Sequence, residues 1–138
     1  MNTHETFKII LIDDDPIANM ISTRIMERNF SCKVIAFTNP VEALEQLTAW
    51  SEQRSDDFPT VIFLDINMPH MDGWEFLEEY QKFPTTVLEK CPVIMLTSSI
   101  DYDDISKSKG YKCVQDFISK PLTNDKLAVL SQIHWARK

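Results

Sequence analysis

The chain has 138 residues, 43% of them hydrophobic, enough to close one core and too few for two ordinary domains, so a single domain over residues 1–138 with no output domain is expected. A formal net charge of -7 and the lack of a basic stripe argue against a nucleic-acid surface and suit a domain that gathers carboxylates around a cation. No apolar run approaches the roughly 18 residues of a membrane span, and the polar start, Met1 to Glu5, has no signal-peptide core, so a cytoplasmic chain without membrane insertion is expected.

Phe7 to Ile12 (FKIILI) is apolar and β-branched and predicts a buried strand. It ends in Asp13-Asp14-Asp15-Pro16. Asp15, directly before a proline, has a sufficient structural role as a helix N-cap; Asp13 and Asp14 have no such role. Ile17, Met20, Ile21 and Ile25 then recur at helical spacing and predict an amphipathic helix to about Arg28, with that stripe as its apolar face. Cys32 to Phe37 (CKVIAF) is a second strand. Thr38-Asn39-Pro40 repeats the cap-then-proline signal, and Val41, Leu44, Leu47 and Trp50 supply the buried stripe of the next helix, which frays into a polar loop from Ser51 to Asp57.

Val61-Ile62-Phe63-Leu64, flanked by Pro59 and Pro69, reads as a central strand buried on both faces. It ends abruptly in a lone carboxylate, Asp65. In open α/β sheets ligands gather at the carboxyl ends of the strands, which marks Asp65 for chemistry; taken alone it serves equally well as the cap of the following turn. Asp72-Gly73 opens a helix with Phe76, Leu77, Tyr80 and Phe83 on one face and Trp74 as a half-buried anchor, and Pro84 stops it. Thr85 to Lys90 reads as either a loop or an extra turn. Val93 to Leu96 is another buried strand, ending in Thr97-Ser98-Ser99. Asp101 to Lys109 is helical by its charge order, acids first and lysines last, with Gly110 as its stop. Its apolar stripe is only Tyr102 and Ile105, so it should be among the least firmly docked elements. Phe117-Ile118-Ser119 is a short fifth strand leading into Lys120-Pro121, and Thr123 caps a last helix carrying Leu127, Leu130 and Ile133. Cys32, Cys91 and Cys113, odd in number and far apart, predict buried thiols. His4, His70 and His134 are placed at the surface or rim.

Five strands alternating with five helices predict an α/β domain, a parallel sheet covered on both faces. Four strands end in ionic or polar groups: Asp13 and Asp14, Asp65, Thr97, and Lys120. Neighbouring strands about 4.8 Å apart would bring these side chains within reach of one another. Carboxylates that close repel by roughly 4 kcal/mol per pair near 4 Å at an effective dielectric of 20. A divalent cation is the natural compensation, and hard oxygen donors suit magnesium.

Ile12-Asp13-Asp14-Asp15-Pro16, Leu64-Asp65-Ile66-Asn67-Met68-Pro69-His70-Met71-Asp72-Gly73, Leu96-Thr97-Ser98 and Ser119-Lys120-Pro121 together resemble the receiver domain of two-component response regulators, over essentially the whole chain. The resemblance implies a flavodoxin-like, doubly wound five-stranded sheet in the order 2-1-3-4-5. It implies that Asp65 accepts a phosphoryl group from a histidine kinase or histidine phosphotransfer protein. Asp14 would bind magnesium directly, Asp13 mostly through water, Asp65 as a further ligand and Asn67 through its backbone carbonyl. Lys120 would pair with Asp65 and then with the phosphoryl oxygens. The Thr97 hydroxyl would move onto the phosphoryl group and Phe117, apolar where several relatives carry Tyr, would turn inward with it. Such a chain is a phospho-acceptor that catalyses its own phosphorylation and dephosphorylation rather than an enzyme with an external substrate. A downstream protein would read a change in residues 98–120 together with the last helix. Two alternatives stand beside this reading. One is a degenerate receiver that scaffolds without phosphorylation. The other is a phosphatase of the haloacid dehalogenase type, for which Asp13-x-Asp15 offers the nucleophile signature, followed by Pro16 where a small polar turn is expected.

Overall fold

A computed structural model of the chain describes residues 7–53, 58–69, 71–98 and 101–130. Its elements are β1 (Phe7–Ile12), α1 (Pro16–Asn29), β2 (Cys32–Phe37), α2 (Pro40–Gln53), β3 (Val61–Asp65), α3 (Gly73–Tyr80), α4 (Thr85–Lys90), β4 (Val93–Thr97), α5 (Tyr102–Ser108), β5 (Val114–Ser119) and α6 (Asn124–Leu130). The strands pair in parallel in the order β2-β1-β3-β4-β5, a flavodoxin-like sheet. The three histidines, or their surroundings, and the expected anchor Ile133 lie outside the described residues, as does the side chain of Leu130.

Every residue of β3 and β4 is buried, which is why these segments lack polar alternation: both faces of a central parallel strand are core. Alternate residues of the inner strands feed two separate clusters. Ile10, Ile12, Ile62, Leu64, Val93 and Met95 pack against Ala43 and Leu47 of α2 and Phe76, Leu77 and Tyr80 of α3. Ile9, Leu11, Val61, Phe63, Ile94 and Leu96 pack on the other face with Met26 of α1 and Leu127 of α6. Burying an aliphatic or Phe side chain contributes roughly 1.5–3 kcal/mol, so these two layers hold the sheet edge rigid where the polar strand ends emerge.

The helix starts follow their caps. Asp15 accepts from the Ile17 amide at 2.9 Å, Asn39 from Val41 at 2.9 Å, and Thr123 from Lys126 at 3.2 Å. Asp72 and Glu75 form a reciprocal capping box at α3.

Several expectations are corrected. The stripe of Ile17, Met20 and Ile21 does not face the core; these residues are 62%, 50% and 50% exposed, while the buried residues of α1 are Asn19 and Met26, about two turns apart on the opposite side. The inward position is taken by a polar residue because the Asn19 amide donates to the carbonyl of Asp13 at 3.0 Å, which an apolar side chain could not do. Val41 is likewise exposed, and Pro40, Ala43 and Leu47 form the buried side of α2. Among the described residues there are six helices rather than five, since Thr85–Lys90 is a helix of its own, begun after Pro84. β5 starts at Val114, earlier than Phe117, once a register shift beside Val93 lets Asp116 pair with Ile94. Tyr102 is 87% exposed and anchors nothing, and α5 closes at Ser108 with Lys109 in right-handed conformation, without a left-handed glycine stop. Trp74 is buried rather than half-buried. Of the thiols, Cys91 and Cys113 are buried but Cys32 is only partly so; burial pushes Cys91 up to about 12 and Cys32 up to about 11, which leaves both protonated.

Candidate functional site: an acidic cluster at the strand ends

The order β2-β1-β3-β4-β5 sets the ends of β1, β3, β4 and β5 side by side. Asp13 follows β1, Asp65 ends β3, Thr97 ends β4, and Lys120 follows β5. Asp13, Asp65 and Thr97 are 3%, 3% and 2% exposed, whereas Asp14 is open to solvent. Carboxylate oxygens of Asp13, Asp14 and Asp65 all lie within 4.8 Å of one another. The sheet therefore brings together the three carboxylates, the hydroxyl residue and the lysine that the sequence singled out.

Each group is held by its backbone surroundings. The Asp13 amide donates to the Phe37 carbonyl at 3.1 Å, and the Asp13 carboxylate accepts from the Asp15 amide at 3.0 Å. Asp65 accepts from the Asn67 amide at 3.3 Å, so Asn67, itself exposed, touches the cluster through its main chain. The Lys120 amide donates to the Thr97 carbonyl at 2.7 Å, which ties the lysine to the end of β4. Phe117 is half-buried, packed against the α2–α3 side of the sheet, with Met95 as its neighbour in the ladder.

The Lys120 ammonium lies 2.6 Å from an Asp13 oxygen and 3.4 Å from an Asp65 oxygen. The expected partner, Asp65, is thus the more distant of the two. One ammonium cannot neutralise two carboxylates, and the effect is visible in the acidities. Burial, followed by the charge of Asp13, raises Asp65 from 3.8 to about 6, against the opposing pull of Lys120. Burial pulls the Lys120 ammonium down, but the hydrogen bond and charge of Asp13, then of Asp65, outweigh it and hold the group above the ordinary lysine value.

Gly73, which the sequence marks as a helix start and as part of the receiver-like motif, also carries a steric constraint. A Cβ there would stand 2.9 Å from the Asp65 carbonyl oxygen and 2.9 Å from the Ile66 Cα, and the Gly73 amide donates to the Ile66 carbonyl at 2.8 Å. The start of α3 is pressed onto the main chain of the Asp65 loop, and only glycine leaves room. The Asp72-Gly73 pair carried the signal, but the contact is set by tertiary approach.

Hard oxygen donors in a mutually repelling set, two of them buried and one open to solvent, fit a divalent cation with water completing its shell. Among the described residues no helix is long and apolar enough to cross a membrane.

A parallel sheet in this order with an acidic cluster at its strand ends is the doubly wound α/β class, in which ligands gather at the carboxyl ends of the strands. The family model of the response regulator receiver domain matches residues 9–131, and the chain belongs to that family, the receivers of two-component systems. A solved two component response regulator from Cytophaga hutchinsonii superposes with a TM-score of 0.85 at 28% identity, covering 98% of this chain and 100% of that one. The sensor histidine kinase CheAY of Helicobacter pylori is 26% identical over 130 residues, which are 94% of this chain and 15% of the relative. A protein-glutamate methylesterase/protein-glutamine glutaminase of Methylobacillus flagellatus is 28% identical over 131 residues, 94% of this chain and 32% of that protein. The chain thus spans a third or less of these two relatives.

Proposed function

We propose that the chain accepts a phosphoryl group on Asp65, in a magnesium-dependent reaction, from the phosphohistidine of a histidine kinase or histidine phosphotransfer protein. The observation that carries this reading is the position of Asp65, a buried strand-end carboxylate with two further carboxylates within 4.8 Å and an ammonium at 3.4 Å. In the proposed step an Asp65 oxygen attacks phosphorus, the N–P bond breaks, and the imidazole keeps the electron pair and takes up a proton. Asp13, Asp14, Asp65 and the Asn67 carbonyl would hold the cation, which supplies charge neutralisation to the phosphoryl oxygens. Lys120 serves the same end from the other side, and its ammonium need only turn from Asp13 toward Asp65. The Thr97 hydroxyl and Phe117 form the proposed switch, Thr97 in the strand next to that of Asp65 and Phe117 in the strand beyond it.

The exposed face of α1 supports the choice of donor. Ile17, Met20 and Ile21 are half or more exposed on the helix that begins beside Asp14, an apolar surface suited to an incoming helical domain that must place its histidine at the acidic edge. The phosphatase alternative is not favoured: Asp15, the second carboxylate it needs, is exposed and engaged as the α1 cap. Incubation with phosphoramidate, a small N–P donor, followed by intact mass tests the proposal. One added phosphoryl group with magnesium and none with chelator is the expected result; no adduct in either sample would support a scaffold instead.

A further inference from the structure

Lys126 of α6 reaches back over the turn between β5 and α6. Its ammonium donates to the Ser119 carbonyl at 2.8 Å and to the Pro121 carbonyl at 3.0 Å. These are the two residues flanking Lys120, so a single side chain fixes the main chain on both sides of the lysine that faces the acidic cluster. The base of the clamp is itself fixed: the Lys126 amide is capped by Thr123 at 3.2 Å, Leu127 beside it is fully buried, and Asn124 is bonded to Asn29 of α1 at 2.9 Å. The Lys120 amide itself donates to the Thr97 carbonyl at 2.7 Å. A long, flexible side chain must deliver its ammonium to a position 2.6 Å from one carboxylate and 3.4 Å from another. It can do so only if its Cα is held, because loop closure otherwise leaves the position free to wander.

We infer that Lys126 is a positioning residue for phosphoryl transfer, acting through Lys120 by bridging the carbonyls of Ser119 and Pro121. The inference rests on the proposed chemistry at Asp65 and adds a part to it. Methionine at 126 keeps the unbranched apolar stem but donates nothing, whereas arginine can span both carbonyls.

The test is the rate of phosphorylation by saturating phosphoramidate with magnesium, read by intact mass, for the wild type, Lys126→Met, Lys126→Arg, Lys120→Ala and the double variant Lys120→Ala/Lys126→Met. Misplacement of a charge-stabilising group by a fraction of an ångström predicts about a tenfold slower reaction in Lys126→Met, with the donor concentration at half-saturation unchanged and the rate restored in Lys126→Arg. In the Lys120→Ala background the Lys126 substitution should cost nothing further, since the residue it positions is gone. An unchanged rate in Lys126→Met, or an equal loss with and without Lys120, would overturn the inference. Should Lys126→Met fail to fold by circular dichroism, Lys126→Gln takes its place in both backgrounds. A wild type that takes up no phosphoryl group refutes the reading of Asp65 instead.

Discussion

Lys120 and Asp13 meet across the width of two strands. The ammonium that follows β5 lies 2.6 Å from the carboxylate that follows β1, with β3 and β4 between them in the sheet. The contact leaves Asp65 with the weaker share of one positive charge, 3.4 Å away. The site is therefore short of cationic charge.

A divalent cation should stabilise the folded chain by relieving the repulsion among Asp13, Asp14 and Asp65. At ten times its dissociation constant a single ligand adds about 1.4 kcal/mol, a shift of a few degrees in a thermal melt. Asp14→Ala, which removes the exposed member of the cluster, should abolish the magnesium-dependent shift. A full shift in that variant would place the ion elsewhere.

Stability should also depend on pH through Asp65. Its folded value of about 6 lies above 3.8, so between the two the native state binds the proton and the unfolded state does not. Stability from this group is present at acid pH and is lost as pH rises from about 4 to about 6. Asp65→Asn escapes the loss. Without magnesium it should match the wild type near pH 4 and exceed it at pH 7 by at most about 3 kcal/mol, since each pKa unit is worth about 1.4 kcal/mol. Urea melts at the two pH values measure the difference; a constant gap would contradict the assignment.

Gly73→Ala should disturb the loop that follows Asp65. The added methyl would meet backbone atoms at 2.9 Å, and main chain cannot step aside as a flexible side chain can. A destabilisation of about 1–3 kcal/mol is expected, together with weaker magnesium binding because the Asp65 and Ile66 backbone shifts. A variant with wild-type melting and wild-type magnesium affinity would show that the loop yields freely.

Phosphorylation should be felt in α5. The helix gains little from its own apolar residues, but the Lys107 ammonium sits 4.8 Å from the centre of the Trp74 ring, Trp74 stacks on Tyr111 at 6.0 Å, and the Tyr111 hydroxyl donates to Glu78. Trp74 adjoins Gly73, so the surface that touches the Asp65 loop also holds α5. A cation–π contact is worth about 0.5–2 kcal/mol, small enough to be reset by a modest rearrangement. Beryllofluoride, a mimic of the acyl phosphate, should change amide exchange mainly over residues 101–120, and Lys107→Met should raise exchange there without it. Change confined to α2, with residues 101–120 silent, would contradict the coupling.

The central strands and their polar ends were legible because a parallel strand buried on both faces writes itself as an apolar run, which Asp65 and Thr97 each interrupt; β5, partly buried and carrying Gln115 and Asp116, was legible only from Phe117 to Lys120. Caps at Asp15, Asn39, Asp72 and Thr123 were legible for the same reason, a local rule with a local signature. The face of α1 was not. Its buried side is organised by Asn19, whose amide satisfies the Asp13 carbonyl, and a periodicity of apolar residues cannot register a polar group that is buried because it is bonded. The steric role of Gly73, the Lys107–Trp74 contact and the Lys126 clamp are equally silent in sequence, since each joins segments that meet only after the sheet has formed.

The central claim is that Asp65 is the phosphoryl acceptor. Its most direct test is to map the adduct formed with phosphoramidate and magnesium in the wild type and in Asp65→Asn. An acyl phosphate on Asp65, released by hydroxylamine and absent from the variant, is the predicted result. A hydroxylamine-stable phosphate on Ser98 or another hydroxyl, or an undiminished adduct in Asp65→Asn, would contradict it.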